Sequence, residues 1–398
     1  MKLHAPKLGT RIETPPYAHR SVSADEQACS FFDRIFALRD RLLGNPRFHD
    51  WMSAFPLTRP IVRNRAGALF DLCSGFVYTQ ILLASVRVGL LERLAAGPQT
   101  ASVLAAQLSM SPDATLRLLN AAVALGLASK RSGGRYGLGV TGAALRGNPG
   151  VPEMIEHNAM LYADLADPVA LLRNQRPAGE IARFWPYARA ARPGDLPAEE
   201  VGAYSALMSA SQSFIAPDIA AAWPFERHRR LLDIGGGEGA FICAIAARVK
   251  TDLRFTLFDL PAVAARAKDR LEAAGLGPRV DTVGGDFLEG PLPQGADLVT
   301  LVRIIHDHED EAALKLLRNI AAVLPPDGTL LIAEPMSGTA GAARAADAYF
   351  SFFFLAMGRG RPRTPAEIER LLRSAGFRRI RRIATRRPLM TSLIAASH

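Results

Sequence analysis

The sequence predicts an α/β protein: a doubly wound parallel sheet that ends in a β-hairpin, preceded by a helical region containing a winged helix. Three observations carry that expectation. Beyond Arg229, short apolar runs alternate with helical stretches, as in a parallel sheet with crossover helices. The first of those runs passes straight into a glycine-rich turn, Gly235-Gly236-Gly237-Glu238-Gly239, which suits a strand leading into a helix. Residues 101–146 read helix, helix, hairpin. The 398 residues, 49% hydrophobic and 22% charged, supply core for two to three domains and show no bias towards disorder.

Elements follow in order. Residues 1–22 read as a Pro-containing arm, and Ser23 with Glu26 forms a capping-box pattern before Phe31, Phe32, Ile35, Leu38 and Leu42 recur at helical spacing. Pro46, Pro56 and Pro60 punctuate the chain before a long apolar helical region, 66–94, of one or two helices that stops at Gly97-Pro98. In 101–146, Ser111-Pro112 is a cap and first-turn pair for a helix carrying Leu116, Leu119, Ala122 and Val123, and 130–140 is the hairpin. A DNA-reading second helix would be basic, yet its exposed positions offer only Arg117 against Asp113, so a packing role is expected and nucleic acid is not. Residues 150–228 are mostly helical, interrupted by prolines over 186–197. Five strands are expected over 230–234, 253–258, 280–283, 296–302 and 328–333, and a terminal hairpin over 379–385 and 389–395. The resulting division is an N-terminal arm and helix (1–65), a helical and winged-helix domain (66–200) and the sheet domain (201–398).

Several function classes are excluded. Cys29, Cys73 and Cys243 are widely spaced and form neither a disulfide framework nor a metal site, which points to a reducing, cytoplasmic setting. Residues 1–16 lack the apolar core of a secretory signal. The longest charge-free apolar stretch, 72–86, falls about a turn short of a bilayer span, so no membrane-crossing segment is expected. The net charge of +10 is concentrated between Arg359 and Arg387, where eleven arginines face only Glu367 and Glu369. Such a segment is a solvated helix face with charged strand edges, or an attraction for an anionic membrane surface or for nucleic acid.

The glycine turn carries the chemistry. Asp233-x-Gly235-x-Gly237-x-Gly239 lets the backbone approach a ligand with no Cβ in the way. Asp259 closes the second strand, where a carboxylate accepts both hydroxyls of a ribose. A dinucleotide fits Gly235-x-Gly237-x-x-Ala240, but S-adenosylmethionine also accounts for Asp233 and for Gly285-Asp286-Phe287, an acid and an aromatic placed to hold adenine. Beyond the fourth strand stands Arg303-Ile304-Ile305-His306-Asp307-His308, on the rim where open parallel sheets bind ligands. His306 there suits a base that takes a proton from an alcohol as its oxygen attacks a sulfonium methyl. Glu334, ending the fifth strand, is placed to orient that imidazole, or simply to cap the next element. Asp307 and His308 are metal ligands by type but lack a third at a telling spacing, so no metal is expected.

These residues resemble the plant-type small-molecule O-methyltransferases, the family of the caffeate and acetylserotonin enzymes, over about residues 70–398. The resemblance implies a helical dimerisation domain, hence a homodimer, and a Rossmann-like S-adenosylmethionine sheet. The family's base falls on His306, its cofactor contacts fall on Gly235, Asp259, Asp286, Phe287 and Arg303, and its flanking acid falls on Glu334. Two positions depart from the pattern: His308 replaces the tryptophan after His-Asp, and Pro362 replaces a second glutamate. The segments Phe55-Pro56-Leu57-Thr58-Arg59-Pro60, 68–78 and 357–363 are similar to the carotenoid-methylating branch of that family in phototrophic bacteria. That implies as acceptor the tertiary hydroxyl of an acyclic carotenoid, drawn from a membrane surface, with a bacteriochlorophyll precursor as the rival pigment. Further rivals are an NAD-dependent oxidoreductase and a winged-helix regulator. The run 350–355 is then either packing or acceptor wall.

Overall fold

A computed structural model describes residues 31–148, 150–175, 178–185, 198–388 and 390–398. The arm over 1–22, the Ser23–Glu26 capping box, Cys29 and the interruption at 186–197 lie outside the described residues. The chain divides into two compact units, one ending at Val77 and one beginning at Tyr78.

In the first unit, helices Phe31–Leu43 and Pro46–Ala54 bury none of their side chains. Pro46 and Pro60 stand in the first turns of helices, while Pro56 lies in the turn between helices Pro46–Ala54 and Arg59–Arg87. Asn45 caps the second helix, its Oδ1 accepting from the Arg47 amide at 2.9 Å, with Pro46 in the first turn. Phe31, Phe32, Trp51, Phe55 and Leu57 are all exposed. Helix Arg59–Arg87 runs 29 residues and corrects one expectation: by length and composition it is long and apolar enough to cross a membrane. The charge-free run alone is too short, but the helix continues through Asp71, and the apolar stretch lengthens with it.

In the second unit, Gly89, in the left-handed region at φ 67°, separates that helix from helix Leu90–Ala95. Strand β1 (Gln99–Thr100) precedes helices Ala101–Gln107 and Pro112–Ala124, followed by β2 (Ala128–Arg131) and β3 (Arg135–Leu138) in an antiparallel sheet of order β1-β3-β2. Ser111 caps the second helix, and Leu90, Leu94, Leu104 and Leu119 form the core beneath. Arg117 pairs with Asp113 at 2.8 Å on the exposed face, which leaves that helix no net charge to offer a phosphate backbone.

Helices Val151–Asp164, Glu180–Phe184 and Ala198–Ala222 lead into the main sheet: β4 (Arg230–Ile234), β5 (Arg254–Asp259), β6 (Val280–Gly284), β7 (Leu298–Val302), β8 (Thr329–Glu334), β9 (Arg379–Ile383) and β10 (Ser392–Ser397). Its order is β6-β5-β4-β7-β8-β10-β9; the first five strands are parallel, and β10 inserts antiparallel between β8 and β9. The expected strands and terminal hairpin therefore all form. Central β7, Leu-Val-Thr-Leu-Val, is buried at every position because helices cover both faces. Strand β9 is an edge, and its Arg379, Arg381 and Arg382 point to charge-protected pairing. Strand order reverses about β4, which opens the crevice at the carboxyl ends of β4 and β7. One segment had no sequence-based expectation: a π-helical turn, Arg344–Phe350, running into helix Ser351–Met357.

Candidate active site

A cleft of about 740 Å³ opens at that crevice. Gly235 and Gly237 line it at φ 69° and 57°, a conformation that side-chain-bearing residues rarely adopt. A Cβ on Gly235 would come within 2.3 Å of Ile304 Cδ1, whereas one on Gly237 would meet nothing within 4 Å. The turn thus presses against the β7 loop on one side and leaves its backbone open to the cleft on the other. Gly239, at φ 79°, caps helix Ala240–Ala246, whose Ala240 lines the cleft, while Gly239 itself lies off the wall and packs on Leu271.

The acids divide by position. Asp259 lines the cleft; its Oδ2 accepts from the Gly237 amide and its Oδ1 from the Leu260 amide, both at 2.7 Å. Burial outweighs those hydrogen bonds and raises its pKa to about 6. Asp286 and Phe287 also line the cleft, with Asp286 Oδ1 accepting from the Leu288 amide at 2.8 Å. Asp233 does not line it. It is 1% exposed beneath the turn, takes the Thr300 hydroxyl at 2.7 Å, and burial raises its pKa to about 7. A Cβ on Gly236 would meet Asp233 Oδ2 at 2.8 Å, so this acid shapes the turn from below.

Arg303, at φ 58°, ends β7, lines the cleft and donates to Ser211 Oγ at 2.7 Å. Its left-handed backbone turns the next three amides towards β8, and Glu334 Oε1 accepts from Ile304, Ile305 and His306. This corrects the expected orientation of the imidazole. Glu334 grips the loop backbone, and the carboxylate beside the His306 ring is Asp307, with Oδ1 at 3.4 Å from Nε2. Burial raises Glu334 to about 7 and Asp307 well above its usual range.

His306 is 4% exposed and lies off the cleft wall, which Asp307 and His308 form instead. Its ring packs at 4.8 Å from Phe354 and 6.5 Å from Phe350, and Nδ1 has no hydrogen-bond partner among the described residues. Burial, then the charges of Arg303, His308 and Arg363, hold the imidazole well below its ordinary pKa, so it is neutral at neutral pH. His308, at the family's tryptophan position, meets Phe287 edge to face at 5.5 Å and so contributes an aromatic wall.

Three groups escaped the sequence. Arg363, 1% exposed, donates to the carbonyls of Ile305 and His308 at 2.8 and 2.7 Å and to Asp310 Oδ1 at 2.8 Å, clamping the histidine loop from outside. Gly360 lies against that loop so closely that a Cβ would meet the His306 carbonyl at 2.2 Å. Glu238, buried beside the turn, pairs with Arg266 at 2.6 Å and Arg270 at 3.0 Å. Helix Ala198–Ala222 supplies a further wall, Ser205, Met208, Ser209 and Gln212; its apolar residues circle the whole helix, so no stripe marked that face. The Gly-Arg-Pro-Arg run was the only signal for the clamp, and it reads first as plain positive charge.

A seven-stranded Rossmann-like sheet with a terminal antiparallel pair and a glycine-and-acid cleft on its rim defines an S-adenosylmethionine-dependent methyltransferase. The chain belongs to the O-methyltransferase family: residues 162–378 match its O-methyltransferase domain and residues 70–145 its dimerisation domain, which supports a homodimer. It is 41% identical to the demethylspheroidene O-methyltransferase of Cereibacter sphaeroides over 89% of this chain and 93% of that one. It is 40% identical to the enzyme of that name from Rhodobacter capsulatus over 92% and 89%. Mouse acetylserotonin O-methyltransferase is 32% identical over 82% and 88%. Among solved structures, CalO1, a methyltransferase of calicheamicin biosynthesis with S-adenosylhomocysteine bound, superposes with a TM-score of 0.70 at 29% identity, covering 84% of this chain and 98% of that one.

Proposed function

We propose that the chain transfers the methyl group of S-adenosylmethionine to the tertiary 1-hydroxyl of an acyclic carotenoid, with His306 as base. The observation that carries this reading is the similarity, over 89% and 92% of this chain, to two demethylspheroidene O-methyltransferases. A buried apolar cluster beside His306, of Phe353, Phe354, Trp185, Leu161 and Met357, agrees with it, since its Trp185 and Met357 also line the cleft and give it an apolar end suited to a polyene.

The cleft fits the donor, since Gly237 presents bare backbone and Asp259 a carboxylate. Gly235, Gly237, Asp259, Asp286, Phe287 and Arg303 would hold it, with Asp233 and Gly239 shaping the turn behind them. The bound donor supplies an electrophilic methyl on a sulfonium. An aliphatic alcohol has a pKa far above seven, so its proton must leave as the new C–O bond forms. Neutral His306 accepts that proton, and the adjacent Asp307 and the loop fixed by Glu334 and Arg363 hold the ring in place. Exclusion of water by the aromatic wall keeps the oxygen aligned.

Such an acceptor resides in a membrane, and the exposed Arg378, Arg379, Arg381 and Arg386 along the sheet edge suit peripheral contact with anionic lipid. One experiment tests both parts: radiolabelled methyl donor is incubated with 1-hydroxylated carotenoid in liposomes. Label should appear in the carotenoid methyl ether, faster from anionic than from neutral vesicles, with the difference fading at high salt. No labelled ether would overturn the acceptor; equal rates would overturn the membrane role. Preferential labelling of an added bacteriochlorophyll precursor would favour the rival pigment.

A further inference from the structure

His308 stands at the family's tryptophan position, and its ring is held in a way that no indole could be. Arg359 Nη2 lies 2.9 Å from His308 Nδ1, while Arg359 Nε donates to the Asp307 carbonyl at 3.1 Å. A guanidinium only donates, so Nδ1 must be the bare, accepting nitrogen, and the neutral ring carries its proton on Nε2. An indole has no acceptor to offer, so His308 and Arg359 form a matched pair. Burial, then the charges of Arg359 and Arg363, lower the imidazole pKa to about 4, which keeps the ring neutral near pH 7.

Both residues line the cleft, as do Asp286, Phe287 and Leu288. The His308 ring meets Phe287 edge to face, centroids 5.5 Å apart and planes at 88°. Among the described residues nothing accepts from Nε2, and unlike His306 Nδ1 that nitrogen is not sealed in protein. The cleft wall therefore carries a fixed N–H donor beside the aromatic ring read as an adenine contact. The ring nitrogens of adenine, N1, N3 and N7, are acceptors. We infer that His308 is a cofactor-binding residue whose Nε2–H donates to a ring nitrogen of the adenine of S-adenosylmethionine, with Arg359 as the positioning residue that fixes the tautomer. This rests on the reading that adenine lies against Asp286 and Phe287.

The test is calorimetry with S-adenosylhomocysteine and its 1-deaza, 3-deaza and 7-deaza analogues, each with one adenine ring nitrogen replaced by C–H. His308→Phe should bind the parent compound about tenfold more weakly than the wild type, the loss of one hydrogen bond. In the wild type one deaza analogue should show the same loss, and His308→Phe should bind that analogue as well as the parent, since the nitrogen has no partner there. Nitrogen-15 spectra of the wild-type imidazoles, with the His308 signals identified by their absence from His308→Phe, should show Nδ1 bare and Nε2 protonated. In Arg359→Met the same signals should spread over both tautomers. Wild-type affinity in Asp286→Ala would defeat the adenine placement, and the inference with it. With Asp286→Ala weakened, the inference alone falls if His308→Phe binds like the wild type, if the deaza loss survives in it, or if Nδ1 carries the proton. A tautomer unchanged in Arg359→Met would remove the positioning role of Arg359.

Discussion

His306→Ala is expected to lower kcat by about 10²–10⁴-fold, the usual worth of a positioned general base, and to leave cofactor binding intact. The separation follows from placement: the ring faces Phe354 and Phe350, while the cleft is walled by its neighbours Asp307 and His308. The loop itself is held through backbone atoms, by Glu334 from beneath and Arg363 from outside, so losing the imidazole should not loosen it. A pH profile adds a second readout. Burial places the imidazole pKa well below 6.5, so protonation silences the base only at lower pH, and kcat/KM should stay level as pH falls through 6.5. Near-wild-type turnover in the alanine variant would remove His306 from the chemistry.

Asp259→Ala should cut affinity for S-adenosylhomocysteine by about 10² or more in calorimetry, since hydrogen bonds to a charged group are worth about 1.5–3 kcal/mol each and two ribose hydroxyls are served. The variant also strands the Gly237 and Leu260 amides that the carboxylate now accepts from, so the turn loses support on its cleft side. Asp259→Asn, similar in shape, separates charge from packing and should fall between wild type and alanine. The sign of the pH effect follows from its raised pKa. The ionised form accepts both hydroxyl protons, and protonation near pH 6 removes one acceptor, so affinity should weaken as pH drops below about 6. Unchanged affinity in both variants would place the ribose elsewhere.

Much of this was legible in the sequence because local rules decided it. Gly235, Gly237 and Gly239 stand where φ is positive, so residue type alone marked the turn. β7 and β8 are buried runs, apolar but for Thr300 in β7 and for Thr329 and Glu334 at the ends of β8, because both faces of the sheet are covered. What stayed hidden depends on partners far away in the chain. Arg363 counts as surface charge until the carbonyls of Ile305 and His308 fold onto it. Glu334 was placed on the correct rim but assigned the wrong partner, because the left-handed turn at Arg303, an uncommon conformation for arginine, redirects the amides towards it. The reach of helix Arg59–Arg87 was missed for a simpler reason: counting stopped at Asp71, and the helix does not.

The most direct measurement is a crystal structure with S-adenosylhomocysteine and a hydroxylated carotenoid bound together. The ribose hydroxyls should lie on Asp259 and the acceptor oxygen within about 3 Å of a His306 ring nitrogen, its chain running along Phe353 and Phe354. An acceptor oxygen held by another residue, with His306 still sealed behind Phe354, would contradict the account.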